Sequence, residues 1–245
     1  MSNLSDIGFP LTANEDLNKL IEDCLKNVSE IPCQKGAYLK FSDVSGAEIY
    51  LQMNFGGDLM GLNPFFNGKS RRKVFITELI ERDTSDLDGG FHAWANADKA
   101  EEGDYPFVFD LPNIFTYQIT LPTACEIQLN AFATNDLGIY DNQQEFLDSQ
   151  ADEIKLSSES FIPIGLFRQS EEIPPQAHGK FAGTIKSFEL KTNQLSGAKF
   201  YWFLVETLGG EVDVVSDPNY VKKEPQIGSI IHGSFWLIGK ILNDS

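Results

Sequence analysis

The chain has 245 residues, 42% of them hydrophobic, and sets 19 Lys and Arg against 36 Asp and Glu for a net charge of −17. That composition supplies an ordinary core without disulfide or metal staples and excludes a disordered chain. No apolar run approaches the roughly 20 residues that span a bilayer. The first ten residues lack the basic and apolar stretches of a secretory signal, so a cytoplasmic location is expected.

The charge is unevenly spread. Residues 178–245 hold seven Lys and seven Asp or Glu, so the first 177 carry the whole excess, with 12 basic and 29 acidic residues. An acidic body repels a phosphate backbone and attracts basic partners. A protein partner, basic in character, is therefore expected, and nucleic acid and membrane are not. Three cysteines, Cys24, Cys33 and Cys125, cannot all pair within one chain, and without export they read as reduced thiols.

The first element is a helix. Thr12-Ala13-Asn14-Glu15 has capping-box spacing, and Leu17, Leu20, Ile21, Cys24, Leu25 and Val28 form one apolar stripe that Pro32 ends. The pattern then changes to period two. Ala37–Phe41 and Ala47–Met53 read as a hairpin, Phe55–Gly68 as a loop holding Phe65 and Phe66, and Lys73–Leu79 as a strand. After the acidic turn Arg82–Gly90, Phe91–Ala95 places His92 and Trp94 on one face and Phe91, Ala93 and Ala95 on the other. Tyr105–Phe109, Thr116–Leu121 and Glu126–Ala133 read as strands, Gln143–Ile154 as a second helix, and Phe161–Phe167 as a short apolar run. The polar stretch Arg168–His178, with two adjacent prolines, reads as a linker. Beyond it come a strand over Phe181–Leu190, a turn at Asn193–Gly197, and a strand over Lys199–Leu208 that is apolar on both faces. Gly209-Gly210 then marks a hairpin signal and Ser229–Ile241 a closing strand. No tandem repeat is visible.

The predicted class is α+β, mostly β. A β-rich acidic domain with a capped first helix spans 1–168, a linker spans 169–178, and a small antiparallel barrel spans 179–245. With its early Gly183, its hairpin and its late Gly233 and Gly239, the last part resembles an OB-fold. That resemblance covers about the last quarter of the chain. The stretches Glu206–Val215 and Gly233–Gly239 also resemble a bacterial family without assigned function.

Signatures of catalysis are absent. Gly68-Lys69-Ser70 lacks the spacing of a phosphate loop and precedes a strand rather than a helix. Asp83, Asp86 and Asp88 fail the calcium-loop pattern, whose twelfth position would fall on Trp94 or Ala97. The three histidines, His92, His178 and His232, have no zinc spacing, and no Gly-x-Ser-x-Gly elbow occurs. No metal or cofactor is expected.

Candidate binding residues are the aromatics Phe65, Phe66, Trp94, Tyr201, Trp202 and Phe203. On the barrel strand Phe200 and Trp202 share one face and Tyr201 and Phe203 the other. One pair fills the barrel, and the second either docks on the first domain or forms a platform for bases. The leading expectation is a non-enzymatic binding protein, in one form the neutraliser of a basic toxin or nuclease. The alternatives are a hydrolase using His92 with dispersed carboxylates such as Asp86 and Asp88, and an oligonucleotide-binding barrel.

Overall fold

The computed structural model describes the whole chain except Met1, Ser2, Thr12, Asp83, Thr84, Gln169, Glu171 and residues 152–154 and 243–245, together with the side chain of Asn14. A 3-10 turn, Asn3–Ile7, precedes helix α1, Asn14–Leu25. Ala13 stands at the N-cap, where the Asp16 carboxylate accepts its backbone N–H at 2.9 Å. This is the acidic half of a capping box. The expected acceptor, Thr12, lies outside the described residues. The apolar stripe buries Leu20 and Cys24, and burial pushes the Cys24 thiol up to about 12. The helix stops short of Val28, which instead opens strand β1, Val28–Cys33. Pro32 sits in that strand, at the edge of a sheet, where its missing N–H breaks no ladder.

Strands β1, β2 (Gly36–Ser42), β3 (Ala47–Met53) and β4 (Leu59–Phe66) form an antiparallel four-stranded sheet in sequence order. The segment expected as a loop after Phe55 is therefore a turn followed by β4. Pairing with β3 overrides the weak strand propensity of Gly61, Asn63 and Pro64.

The second sheet has ten strands: β5 (Arg72–Glu81), β6 (Gly89–Ala95), β7 (Pro106–Asp110), β8 (Thr123–Ala133), β9 (Gly138–Tyr140), β10 (Ser160–Ile162), β11 (His178–Thr192), β12 (Lys199–Thr207), β13 (Gly210–Ser216) and β14 (Ile230–Leu242). Two expectations along it change. Residues Thr116–Leu121 form no strand: Thr116 ends a 3-10 turn, Ile114–Thr116, and the rest is irregular. Helix α2, Gln143–Asp148, ends earlier than the apolar points suggested. Among the described residues no helix is long and apolar enough to cross a membrane.

The stretch 169–178 does not divide two cores. β10 before it pairs with β11 after it, and β7, β8 and β9 pair with β13 or β14. Its prolines and polar residues make a connection within one sheet.

The register of this sheet contains a duplication. β5–β8 and β11–β14 follow one plan, in which the first strand pairs with the second and the fourth and carries an irregularity, at Ile76/Glu78 or Ile185/Ser187. The third strand of each half runs parallel to the fourth strand of the other, Val214 beside Ala131 and Asp110 beside Ile238. The two fourth strands, β8 and β14, pair antiparallel with Ala131 opposite Leu237. Matching the ladders sets Val74 on Gly183 and Phe91 on Phe203, and exchanges Ala131 with Leu237, so that this pair lies on a pseudo-twofold axis. Each half closes into a five-stranded ring by borrowing the other's fourth strand.

Side-chain alternation then separates two cores. Ile127, Leu129 and Ala131 of β8 join Phe235 and Leu237 of β14, Phe91 and Phe203 in the first. Phe132 and Ile238, on the opposite face, join Phe66, Phe200, Trp202 and the inner residues of the four-stranded sheet and α1 in the second. The aromatic pair Phe200 and Trp202 thus docks on the first part of the chain, with ring centroids 5.9 and 6.1 Å from Phe66.

Candidate functional site

Burial removes most of the aromatic candidates from any surface. Phe65, Phe66 and Phe203 are at most 2% exposed, and Trp202 is 3% exposed with its indole N–H donated to Asp213 at 2.7 Å. Tyr201 is half-buried and stacks on Phe203, while Trp94 is half-buried on the outer face of β6. These rings do not form a platform for bases, because both faces of β12 are needed to build the two cores.

The Gly68-Lys69-Ser70 loop does form an anion nest, and the anion is internal. The backbone N–H groups of Lys69 and Ser70 donate to the Asp213 carboxylate at 3.0 and 2.9 Å, joined by Gln128 at 3.0 Å. A Cβ on Gly68 would fall 2.3 Å from that carboxylate, so glycine is required there.

His92 and the acidic turn are not brought together. His92 is half-buried, with Nδ1 2.6 Å from Thr77 Oγ1, and it lines neither of the two cavities that share Gln176. Burial holds its pKa below the ordinary histidine range, with Glu78 opposing. Asp86 is exposed. Among the described residues no cluster of His, Cys, Asp or Glu is placed to hold a metal.

Asp88 alone of these candidates enters a cavity. It lines a space of about 260 Å³ with Asn63 of β4, Arg82, Gly89, Asp110, Gln176 and Trp236. All three parts of the molecule meet here: the small sheet, the ten-stranded sheet and the connection before β11. The Asn63 amide donates to Asp88 Oδ1 at 2.8 Å, and the Gln52 amide donates to the same oxygen. The Arg82 guanidinium holds Asp110 Oδ1 through Nε at 3.0 Å and Nη2 at 2.6 Å, and its Nη1 ties down the Pro175 carbonyl. Trp236 Nε1 donates to Asp110 Oδ2 at 2.8 Å. Burial raises the Asp110 pKa, and Arg82 and the Trp236 donor pull it back. Gly90 leaves room for this carboxylate, since a Cβ there would lie 2.8 Å from its Oδ1.

A second cavity of about 260 Å³ adjoins the first through Gln176, which lines both. Its walls include Ile164, Phe167, Ile173, Pro174 and His178. Phe167 is 74% exposed and Ile173 45% exposed. The two cavities share the Gln176 wall: the first is polar, with two carboxylates, and the second sets Ile164, Phe167, Ile173 and Pro174 beside the Arg168 and His178 side chains. In the first cavity Asp88 and Asp110 outnumber the guanidinium of Arg82, and the Trp236 indole adds an aromatic wall of the kind that attracts cations.

Sequence reasoning missed Arg82, Asp110, Gln176 and Trp236. The available signal was a polar residue closing an apolar strand, as Asp110 closes Phe107–Phe109, and an indole inside the closing strand. Neither says which distant strands converge. No protein-family model, curated protein or solved structure matches the chain.

Proposed function

We propose that this protein binds a partner protein and is not an enzyme, taking into its groove a partner segment that sets a basic side chain beside an apolar one. The observation that carries this reading is the shared Gln176 wall, which places the Asp88–Asp110–Trp236 cavity next to the exposed Phe167 and Ile173. A lysine or arginine entering the first cavity meets the Trp236 ring and the negative field of Asp88, while Asp110 stays held by Arg82 and the Trp236 N–H. An apolar neighbour covers the second cavity. The net charge of −17 adds long-range attraction for such a partner and raises the rate of encounter. A basic toxin or nuclease is one partner of this chemistry, and the compartment expected for the meeting is the cytoplasm.

The hydrolase reading loses support because His92 lines neither cavity of the groove and its cross-strand neighbour Glu78 is exposed. The oligonucleotide reading loses support because the strand aromatics are buried. The OB-fold-like reading of residues 179–245 enters the proposal only as scaffold, with β8 supplied from outside that range as the closing strand.

The test is selection from a display library of random peptides on the immobilised full chain. Enriched peptides should pair Lys or Arg with a large apolar residue, and enrichment should vanish with Trp236→Ala and with Asp88→Asn. Enrichment of acidic peptides, or the same peptides on both variants, contradicts the reading.

A further inference from the structure

A different cavity, at the far end of the β8–β14 pair, has the opposite charge. It encloses about 360 Å³ and is lined by Asn67, Gly68, Lys69, Ser70, Arg71, Gln128, Lys240 and Leu242. Three of these are basic and none is acidic, in a chain with 36 acidic residues against 19 basic ones. Such a lining runs against the composition and gives this face a local positive potential.

Among the described residues, the nearby carboxylates do not answer these charges. Asp213 is fully buried and takes four hydrogen bonds, from the backbone of Lys69 and Ser70 and the side chains of Gln128 and Trp202, with no ammonium or guanidinium among them. Glu126 pairs with Arg71 at 3.2 Å, but both groups are about half exposed or more, where such pairs are weak. Lys69 and Lys240 pair with no carboxylate among the described residues. Lys69 instead lies 4.9 Å from the Trp202 ring centroid, and the backbone beside it is pinned by Asp213. Its ammonium group is thus placed before any ligand arrives.

The geometry points to a binding site for a small oxyanion, a phosphate or diphosphate group, held by Lys69, Arg71 and Lys240 with the Asn67 amide as a neutral donor. Ser70 is not part of the recognition, since its hydroxyl donates to the Leu129 carbonyl and accepts the Leu129 N–H. The volume lies at the small end of the roughly 300–1,000 Å³ of ligand pockets, which suits one or two phosphate groups rather than a polymer. This site is independent of the acidic groove, and nothing in its argument uses a protein partner.

The experiment is isothermal titration of the full chain at low salt with pyrophosphate, inorganic phosphate and ADP. Pyrophosphate should bind saturably and more tightly than phosphate. The double variant Lys69→Gln/Lys240→Gln should weaken it by about tenfold or more, with its melting temperature and circular dichroism matching the wild type. Arg71→Gln, whose charge is shared with Glu126, should cost less. ADP binding no tighter than pyrophosphate identifies a free oxyanion as the ligand, and tighter binding identifies the diphosphate of a nucleotide. Absence of saturable binding for all three probes, or unchanged affinity in the folded double variant, overturns the proposal.

Discussion

Replacing Asp6 with asparagine is expected to make stability less dependent on pH. Asp6 lies in the Asn3–Ile7 turn and is 1% exposed. One carboxylate oxygen accepts the Asp217 N–H at 2.8 Å, and the other has no hydrogen-bond partner among the described residues. Burial pushes its pKa up to about 8, the Asp217 N–H opposes the rise and the Asp217 carboxylate adds to it. In the unfolded chain the group titrates near pH 3.9, at about its reference value. Between these values the folded state keeps a proton that the unfolded state has lost. The stability from this group is therefore whole below about pH 4 and drains away as pH rises through about 8. At about 1.4 kcal/mol per pH unit, the loss between about pH 5 and about pH 7 is on the order of 3 kcal/mol. Asparagine keeps an acceptor for the Asp217 N–H and carries no charge at any pH. Urea unfolding of both proteins across this range should show the variant gaining on the wild type by about 3 kcal/mol. A constant difference would refute the argument from burial.

Other parts of the account make separate predictions. Asp213→Ala removes four hydrogen bonds, and at about 1 kcal/mol for each it should cost on the order of 4 kcal/mol in urea unfolding. A loss below about 1 kcal/mol would mean that the nest is not what holds the loop. Phe91→Ala and Phe203→Ala occupy equivalent positions in the two halves, so each should cost about 3–5 kcal/mol, and losses differing severalfold would contradict the equivalence. The His92 ring should titrate by NMR below its reference value of about 6.5, and His92→Ala should leave partner binding unchanged.

The parts of the fold that local pattern controls were legible in the sequence. The stripe through Leu20 and Cys24, the alternation around His92 and Trp94, and the two-faced apolar run of Lys199–Thr207 each describe one element and its burial. The pairing of distant elements was not legible. A run that is apolar on both faces, such as Phe200–Val205, states that both faces are covered and leaves open by what. β4 was hidden because Pro64 and Gly61 suppress its local signal, while its pairing with β3 settles its conformation. The duplication was hidden because the register requires only that equivalent positions be buried. Val74 and Gly183, or Ala93 and Val205, meet that condition with different residues. Of the candidate site, Asp88 was named from the acidic turn, but its partners come from strands up to 148 positions away, as Trp236 does. The prolines at 174 and 175 read as a break between domains. In the structure the second of them offers its carbonyl to Arg82 and helps shape the groove.

Site-directed photocrosslinking tests the central claim most directly. A photoreactive residue replacing Gln176, which is exposed on the wall between the two cavities, should give a discrete adduct in the native cell extract. The crosslinked segment should contain Lys or Arg next to an apolar residue, and Trp236→Ala in the same chain should abolish it. The same probe at Val44, 89% exposed and away from the groove, should give no such adduct. Adducts that are the same at both positions, or that persist without Trp236, would contradict the account.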